Sequence, residues 1–562
     1  MQTFNPLEHS DPLIRNDLSF CQSSIEGLST WATQLNHLAL GHAAKALLQA
    51  LNEISELNCE AILRFNLVQT LYPYYEQVVN RIEKYALQPA LLSPQRQNHL
   101  IELLFLLRAK YIKIHFHIAQ DCHQQRHTRR LAFYQFKSKK MLRIATILAS
   151  YYALQQLSYL LYQQQRFCTT AVAQQWYIAH QLMYLAMQQH DQNININRLQ
   201  NTAYPLHTIG QMYAHLILLS ILNLHQLPNL DMHTVYLCSI DWAKLIAISH
   251  KETILSRYSI DADQDLPPIH DQQPNQKSNI FVVSHHLLQH LDQNNQQQYR
   301  TSAHEKVYLS PRLYFHIHHL LTQNTGRRYI RFTDHAMLNL YIGFDVAHHY
   351  LGHNTRHQRQ FNRYFNHSQD MTHRSPFSTT RPKLVDIQHP LNVITAKAYR
   401  VSIIDRSIAG GYRIRWAGKK PAHIEVGEFI LMQENQLNPC FAGLIRWIKS
   451  PADQHTEMGL ELLAQHLAAA IVAIVDHEVR ISEISYPAIL IQNTIITPTY
   501  TTLIVPNHSI FKPQTQLWLH LGTALLRISL GTTVFITTNT IGFRIELESA
   551  QDKMILDQYL VP

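Results

Sequence analysis

Glycine is spread so unevenly along the 562 residues that no single fold can serve the whole chain. Only Gly27, Gly41 and Gly210 precede residue 325, whereas nine of the fifteen glycines lie between Gly410 and Gly542. In a helix interior glycine costs about 0.5–1 kcal/mol against alanine, while tight turns and bulges need its φ freedom. The first half of the chain is therefore written for long helices, and the last third for short strands joined by turns.

The periodicity agrees. IELLFLLRAKYIKIHF, MLRIATILASYYALQQLSYLLYQQQ, VAQQWYIAHQLMYLAMQQH and PLHTIGQMYAHLILLSILNL repeat apolar residues every three to four positions and are too long for strands. Pro89, Pro94, DQNININ, Pro205 and LPNLD punctuate them, as in a set of helical hairpins without a fixed repeat. After residue 390 the period becomes two: AYRVSIID, GYRIRW, GEFILM, CFAGLIRWI and EMGLELLA alternate apolar and polar residues, and a second series runs from AIVDHEVRISEI to FRIELE. So many short strands predict two small antiparallel barrels, dividing near residue 470. The organisation expected is multidomain α + β. A helical-hairpin array occupies 1–260, a linker with a short helix 261–298 and a small α/β middle unit 299–355. A basic polar connector follows at 356–388, then a β-barrel at 389–470 and a second small β domain at 471–562.

Charged residues make up only 15%, and the formal charge is +9 with neutral histidine. Anionic partners are favoured over cationic ones, with the charge expected to be diffuse rather than gathered in a Lys/Arg block. The six cysteines (Cys21, Cys59, Cys122, Cys168, Cys238, Cys440) form no C-x-x-C pair, which excludes a zinc ribbon and a disulfide framework. The N-terminal residues have no basic segment followed by an apolar one. The uncharged stretches 144–165 and 199–230 carry Gln155, Gln156, Gln211 and His215, which are costly in hydrocarbon. No membrane span and a cytoplasmic location are the expectation.

The first barrel carries the informative motif. Asp405-Arg406-Ser407-Ile408-Ala409-Gly410 follows the strand AYRVSII directly, GLIRWIK comes downstream, and GLEL closes the segment at 459–462. Over about 85 residues this resembles the PilZ domain family, with its D/N-x-S-x-x-G turn, its later G-x-x-R-W strand and its closing glycine-containing strand. The resemblance implies a PilZ-like barrel that binds cyclic di-GMP through Asp405, Ser407 and Gly410. The chemistry of such a turn is recognition: a carboxylate accepts from a guanine edge, a hydroxyl donates or accepts, and a glycine admits close backbone approach. The same residues would also serve an Asx- or Ser-capped turn that merely closes a hairpin.

The family's second element is R-x-x-x-R before the barrel, whose planar guanidinium groups suit phosphate oxygens and guanine. Three such pairs occur: Arg126/Arg130, Arg327/Arg331 and Arg359/Arg363. Only Arg359 and Arg363 precede the barrel by a simple connector, so they are the expected clamp, although their 42-residue spacing to Asp405 is longer than the family shows. Trp416 and Trp447 are read as packing the barrel and its rim.

Other chemistries are poorly served. His285, His286 and His290, then His316, His318 and His319, then His348, His349 and His353 cluster, but no H-E-x-x-H occurs, and a chain with 37 histidines clusters them by composition. There is no G-x-S-x-G, P-loop or G-x-G-x-x-G, so neither an enzyme nor a bound cofactor or metal is expected. The function expected is a non-enzymatic bacterial receptor or adaptor for cyclic di-GMP, which relays the signal through an unidentified protein partner of the helical part. A PilZ-fold scaffold that does not bind the nucleotide, and a nucleic-acid-associated protein, are the alternatives.

Overall fold

A computed structural model describes residues 15–88, 94–128, 136–169, 171–270, 278–297, 309–322, 331–354, 397–407, 410–418, 420–421, 424–434, 439–449, 456–475, 481–492, 500–522, 524–547 and 549–560. They fall into two compact units, one drawn from 1–224 and 229–326, the other from 225–228 and 327–562.

The first unit is helical, as the glycine distribution requires. Its helices are α1 (Ile25–Gln34), α2 (Leu40–Glu56), α3 (Ala61–Ala86), α4 (Pro94–Thr128), α5 (Phe136–Arg166), α6 (Gln175–Gln188), α7 (Ile209–Leu222) and α8 (Asn229–Trp242). Helices α4 and α5 pack extensively along each other, with α2 and α3 against α4 and with α6 and α7 against α5. No helix of the described residues is long and apolar enough to cross a membrane. The polar residues that make these helices poor membrane segments are buried and paired instead. Arg108, 3% exposed, donates from Nε to Gln163 Oε1 at 2.7 Å and from Nη1 to Gln156, while Tyr75 donates to Gln156 at 3.1 Å and Gln163 to Glu83 at 2.6 Å. Such a network stabilises only while it is complete, because each orphaned member would carry its full desolvation cost.

The 261–298 segment is more structured than a linker. Strands β1 (Ala247–Ser249), β2 (Ser256–Ile260), β3 (Ile269–His270) and β4 (Ile280–Val283) form an antiparallel sheet ordered β1-β4-β2-β3, and α9 (His285–Gln297) follows. Strands of two to five residues show no measurable period, so the sequence concealed them. The 261–266 loop is pinned to α6. Asp265 accepts the backbone N–H groups of Gln174, Trp176 and Tyr177 at 2.6, 2.9 and 3.1 Å, capping the helix from 88 or more residues away. Helix α10 (Pro311–Thr322) completes the unit.

In the second unit, β5 (Arg331–Thr333) and β6 (Met337–Ile342) precede α11 (Phe344–Asn354). Then come β7 (Tyr399–Ser407), β8 (Gly411–Trp416), β9 (Phe429–Gln433), β10 (Phe441–Lys449) and β11 (Thr456–Ala464). These strands form one sheet that closes on itself through β7–β8 and β6–β9. Residues 331–342 are thus part of the barrel and not of a separate middle unit, which corrects the boundary expected at 389. Strands β5 and β6 lie end to end along β7, Arg331↔Ser407 and Met337↔Ser402, as one strand broken at Asp334–Ala336. Leu338, Leu340, Val401, Ile403, Ile414, Ile430, Met432 and Leu460 fill its interior.

The second barrel is β12 (His466–Val475), β13 (Ile481–Gln492), β14 (Thr501–Pro506), β15 (Gln516–Leu521), β16 (Ala524–Ile536) and β17 (Thr540–Leu547), closed in the order β12-β13-β14-β17-β16-β15. Helix α12 (Ala550–Tyr559) contributes Leu556 to its core. The two barrels meet through Phe344, Ala347 and Leu351 of α11 with Phe429, Leu444, Ile489, Ile504 and Phe535. The chain crosses from one to the other at Gln465, close to the expected division.

Candidate functional site

The turn between β7 and β8 is built from the D-x-S-x-x-G residues. Ser407 Oγ accepts the Gly411 N–H at 3.0 Å, and the Gly410 N–H donates to Ser407 O at 3.1 Å. Gly410 has φ +83°, in the left-handed region, and a Cβ there would lie 2.5 Å from Leu462 Cβ. Its carbonyl meanwhile accepts the Leu462 N–H at 2.8 Å. Backbone angle and packing both demand glycine at this position. Ile408 and Ala409 lie outside the described residues.

Asp405, one strand position before the turn closes, carries the charge chemistry. Its side chain is 18% exposed; Oδ1 accepts from Arg331 Nη1, and Oδ2 lies 3.6 Å from Arg413 Nη1. Arg413 turns most of its guanidinium to Glu457, donating from Nε at 3.0 Å and Nη2 at 2.6 Å. Carboxylate and guanidinium groups thus alternate across β5, β7, β8 and β11 on the outer face of the barrel, beside Arg446 paired with Glu461. Arg406, the residue between the motif's aspartate and serine, points elsewhere. It donates to Glu434 at 2.9 Å and pairs at 3.0 Å with Asp334, which caps the break between β5 and β6. Arg406 therefore fixes the bend that delivers Arg331.

Sequence spacing missed Arg331. It is the second arginine of Arg327-x-x-x-Arg331, and the β5–β7 register sets it opposite Ser407 with its head group on Asp405. A Cβ built on Gly411 would come within 3.0 Å of Arg331 Nη2, so the guanidinium lies across the turn itself. The signal available was the run RRYIRFT, which reads as a strand and contains the arginine. Arg359 and Arg363, the expected clamp, lie outside the described residues.

Trp416 is 5% exposed in the barrel core. Trp447 lies flat on the outer face: a Cβ on Gly459 would sit 2.0 Å from its indole nitrogen, and Lys449 Nζ stands 5.4 Å from its ring centroid. Among the described residues no group of three or more His, Cys, Asp or Glu side chains could hold a metal. His318 instead pairs with Asp292 at 3.0 Å.

Family comparison fits this architecture. A family model described as the middle PilZ domain of the cyclic-di-GMP receptor FimW matches residues 387–468. Residues 387–468 are a PilZ domain. The model for the N-terminal domain of the same receptor matches residues 26–252, within the helical unit. The cyclic-di-GMP receptor FimW of Pseudomonas aeruginosa is 21% identical over 503 residues, covering 80% of this chain and 79% of that protein. No solved structure matches the chain. The matched PilZ window begins after β5 and β6, so it omits both the strand that closes the barrel and the arginine at Asp405.

Proposed function

We propose that this protein is a non-enzymatic, cytoplasmic receptor for cyclic di-GMP. The ligand is held on the outer face of the PilZ barrel by the Asp405–Gly410 turn and by Arg331, the second arginine of the Arg327-x-x-x-Arg331 sequence. One observation carries the reading: an R-x-x-x-R arginine and the D-x-S-x-x-G aspartate are joined across the β5–β7 ladder.

The chemistry is one of partner exchange. Asp405 can accept from a guanine N1–H and amino group while Arg331 swings from the carboxylate to a phosphate oxygen. Because Arg413 stays 3.6 Å from Asp405, the carboxylate is not stranded when Arg331 leaves. Gly411 leaves room for the guanidinium to move. The FimW likeness along the helical unit supports a relay from this site to a protein partner of that unit. Calorimetric titration of the full chain with cyclic di-GMP, with GTP and GMP as controls, tests the reading. Saturable binding that is selective for the cyclic dinucleotide and weakened by Arg331→Ala and Asp405→Ala is expected. A flat titration would overturn it and leave the barrel as an interaction module.

A further inference from the structure

The two barrels are built on one plan, although the PilZ match ends at residue 468. With β5 and β6 taken as the one broken strand they form, the first barrel closes in the order β5/β6-β7-β8-β11-β10-β9. In chain order that is first, second, third, sixth, fifth and fourth strand. The second barrel closes as β12-β13-β14-β17-β16-β15, the same order, and neighbours are antiparallel throughout both. The likeness reaches single residues. Each fifth strand has a register shift just before an aromatic residue that faces a glycine of the sixth. In the first barrel Trp447 faces Gly459, and in the second Phe535 faces Gly542. A Cβ on either glycine would strike the ring, 2.0 Å from the Trp447 indole nitrogen and 2.6 Å from Phe535 Cε1. A shared strand order describes only a fold, but a bulge, an aromatic and a glycine at the same place in it fix the register between the barrels.

From that anchor the ladders match the outer faces position by position. Gly459 lies opposite Arg413, which lies opposite Asp405. Gly542 lies opposite Ile504, which lies opposite Ile489. Two residues beyond Asp405, Ser407 faces Arg331; two beyond Ile489, Ile491 faces Leu467. The residues preceding the two aromatics are Arg446 and Val534. Where the first barrel presents Arg331, Asp405, Arg413 and Arg446, the second therefore has Leu467, Ile489, Ile504 and Val534. These four and Phe535 form one apolar cluster with Phe344, Ala347 and Leu351 of α11, and with Phe429 and Leu444 of the first barrel. His348 of the same helix donates from Nε2 to the Ala470 carbonyl of β12 at 2.9 Å.

We propose that the second barrel is a PilZ-type barrel whose ligand face has become the seat of a protein helix, α11, and takes no nucleotide. A phosphate set on Leu467, Ile489 and Ile504 would lose its hydration with no donor to replace it, whereas an apolar helix face is stabilised by the same surface. Helix α11 follows β6 directly, so the seat ties the broken strand that carries Arg331 to the second barrel. That the face is a ligand face rests on the nucleotide reading of the first barrel; its cover by α11 does not.

Hydrogen exchange on the full chain tests both halves. Without nucleotide, Ala347→Glu puts a charge into the buried centre of the seat. It should speed amide exchange about tenfold or more along α11, at 489–491 and 502–505, and at 533–536, while 517–521 and 526–530 keep the parent's protection and show the barrel still folded. Leu351→Ala, which only trims the contact, should give a smaller rise at the same segments. Unchanged exchange on those strands in both variants would overturn the seat. With cyclic di-GMP, protection should appear along β5, β7 and β8 and not along β13 and β14. Protection of β13 and β14 that persists in Arg331→Ala/Asp405→Ala would overturn the proposal by revealing a second nucleotide site. Protection at neither barrel would refute the receptor reading alone, since the nucleotide-free comparison decides the seat by itself.

Discussion

Gly410→Ala and Gly411→Ala should separate what the β7–β8 turn needs for folding from what it needs for its ligand. At Gly410 an alanine would be held at φ +83°, a left-handed conformation that costs an L-residue about 1–2 kcal/mol. Its Cβ would also meet Leu462 Cβ at 2.5 Å and Cδ2 at 2.7 Å. The first of these contacts is with an atom fixed to the β11 backbone, so no rotamer change relieves it, and overpacking of this kind costs about 1–3 kcal/mol. Together the two effects come to about 2–5 kcal/mol, a large part of the roughly 5–15 kcal/mol that holds a domain folded. For a unit of this size the melting temperature should fall by about 5–15 °C, with faster amide exchange along 456–464. Gly411 is different. Its Cβ would face the mobile head group of Arg331 at 3.0 Å and Ser407 Oγ at 3.1 Å. Gly411→Ala should keep the melting temperature within about 2 °C of the parent, since the arginine can move aside. It should nevertheless lower affinity for cyclic di-GMP by about tenfold, the worth of one misplaced charge-assisted hydrogen bond. A Gly410→Ala protein that melts with the parent would refute the packing argument, and a Gly411→Ala protein equally destabilised would refute the distinction.

Two further outcomes follow from the helical unit. Burial pushes the pKa of His115 and His180 down to about 4 and that of His215 to about 3, so all three are neutral in the folded state. The unfolded chain takes up those protons as the pH drops below about 6.5 while the folded chain does not, so stability is full above that pH and declines toward pH 4 at about 1.4 kcal/mol per unit for each histidine. Melts followed by helical circular dichroism at about pH 7.5 and pH 5 should show that fall, and pH-independent melting would contradict it. Asp265→Ala removes a three-fold cap from α6. It should destabilise the helix by about 1–2 kcal/mol and raise amide exchange first at 174–177; unchanged exchange there would rule the cap out as a structural tie.

The partition of helix from strand was legible because glycine and periodicity report it directly: α4 and α5 are glycine-free over long spans, and β7, β8, β10 and β11 alternate. The turn residues Asp405, Ser407 and Gly410 stood out because D-x-S-x-x-G directly after a strand resembles the PilZ signature; local geometry accounts for two of them, Ser407 accepting the Gly411 N–H and Gly410 at φ +83°. What stayed hidden depends on contacts across long separations. Strand β5 has three residues and β6 six, and β6 is parted from β7 by α11 and the 355–396 stretch, so nothing local marks them as barrel strands. Arg331 therefore looked remote from Asp405, 74 positions away, although the ladder sets the two side by side. The capping of α6 by Asp265 and the sheet built on Ile280–Val283 were invisible for the same reason.

On the proposed reading, Arg331 at the turn clamps the nucleotide. Cyclic di-GMP titrations of the parent, Arg331→Ala and the Arg359→Ala/Arg363→Ala double variant test it side by side. Arg331→Ala should lose about tenfold or more in affinity, the value of a charge-assisted phosphate contact, while the double variant stays close to the parent. Binding that survives Arg331→Ala but disappears in the double variant would contradict it and move the clamp to the 359–363 segment.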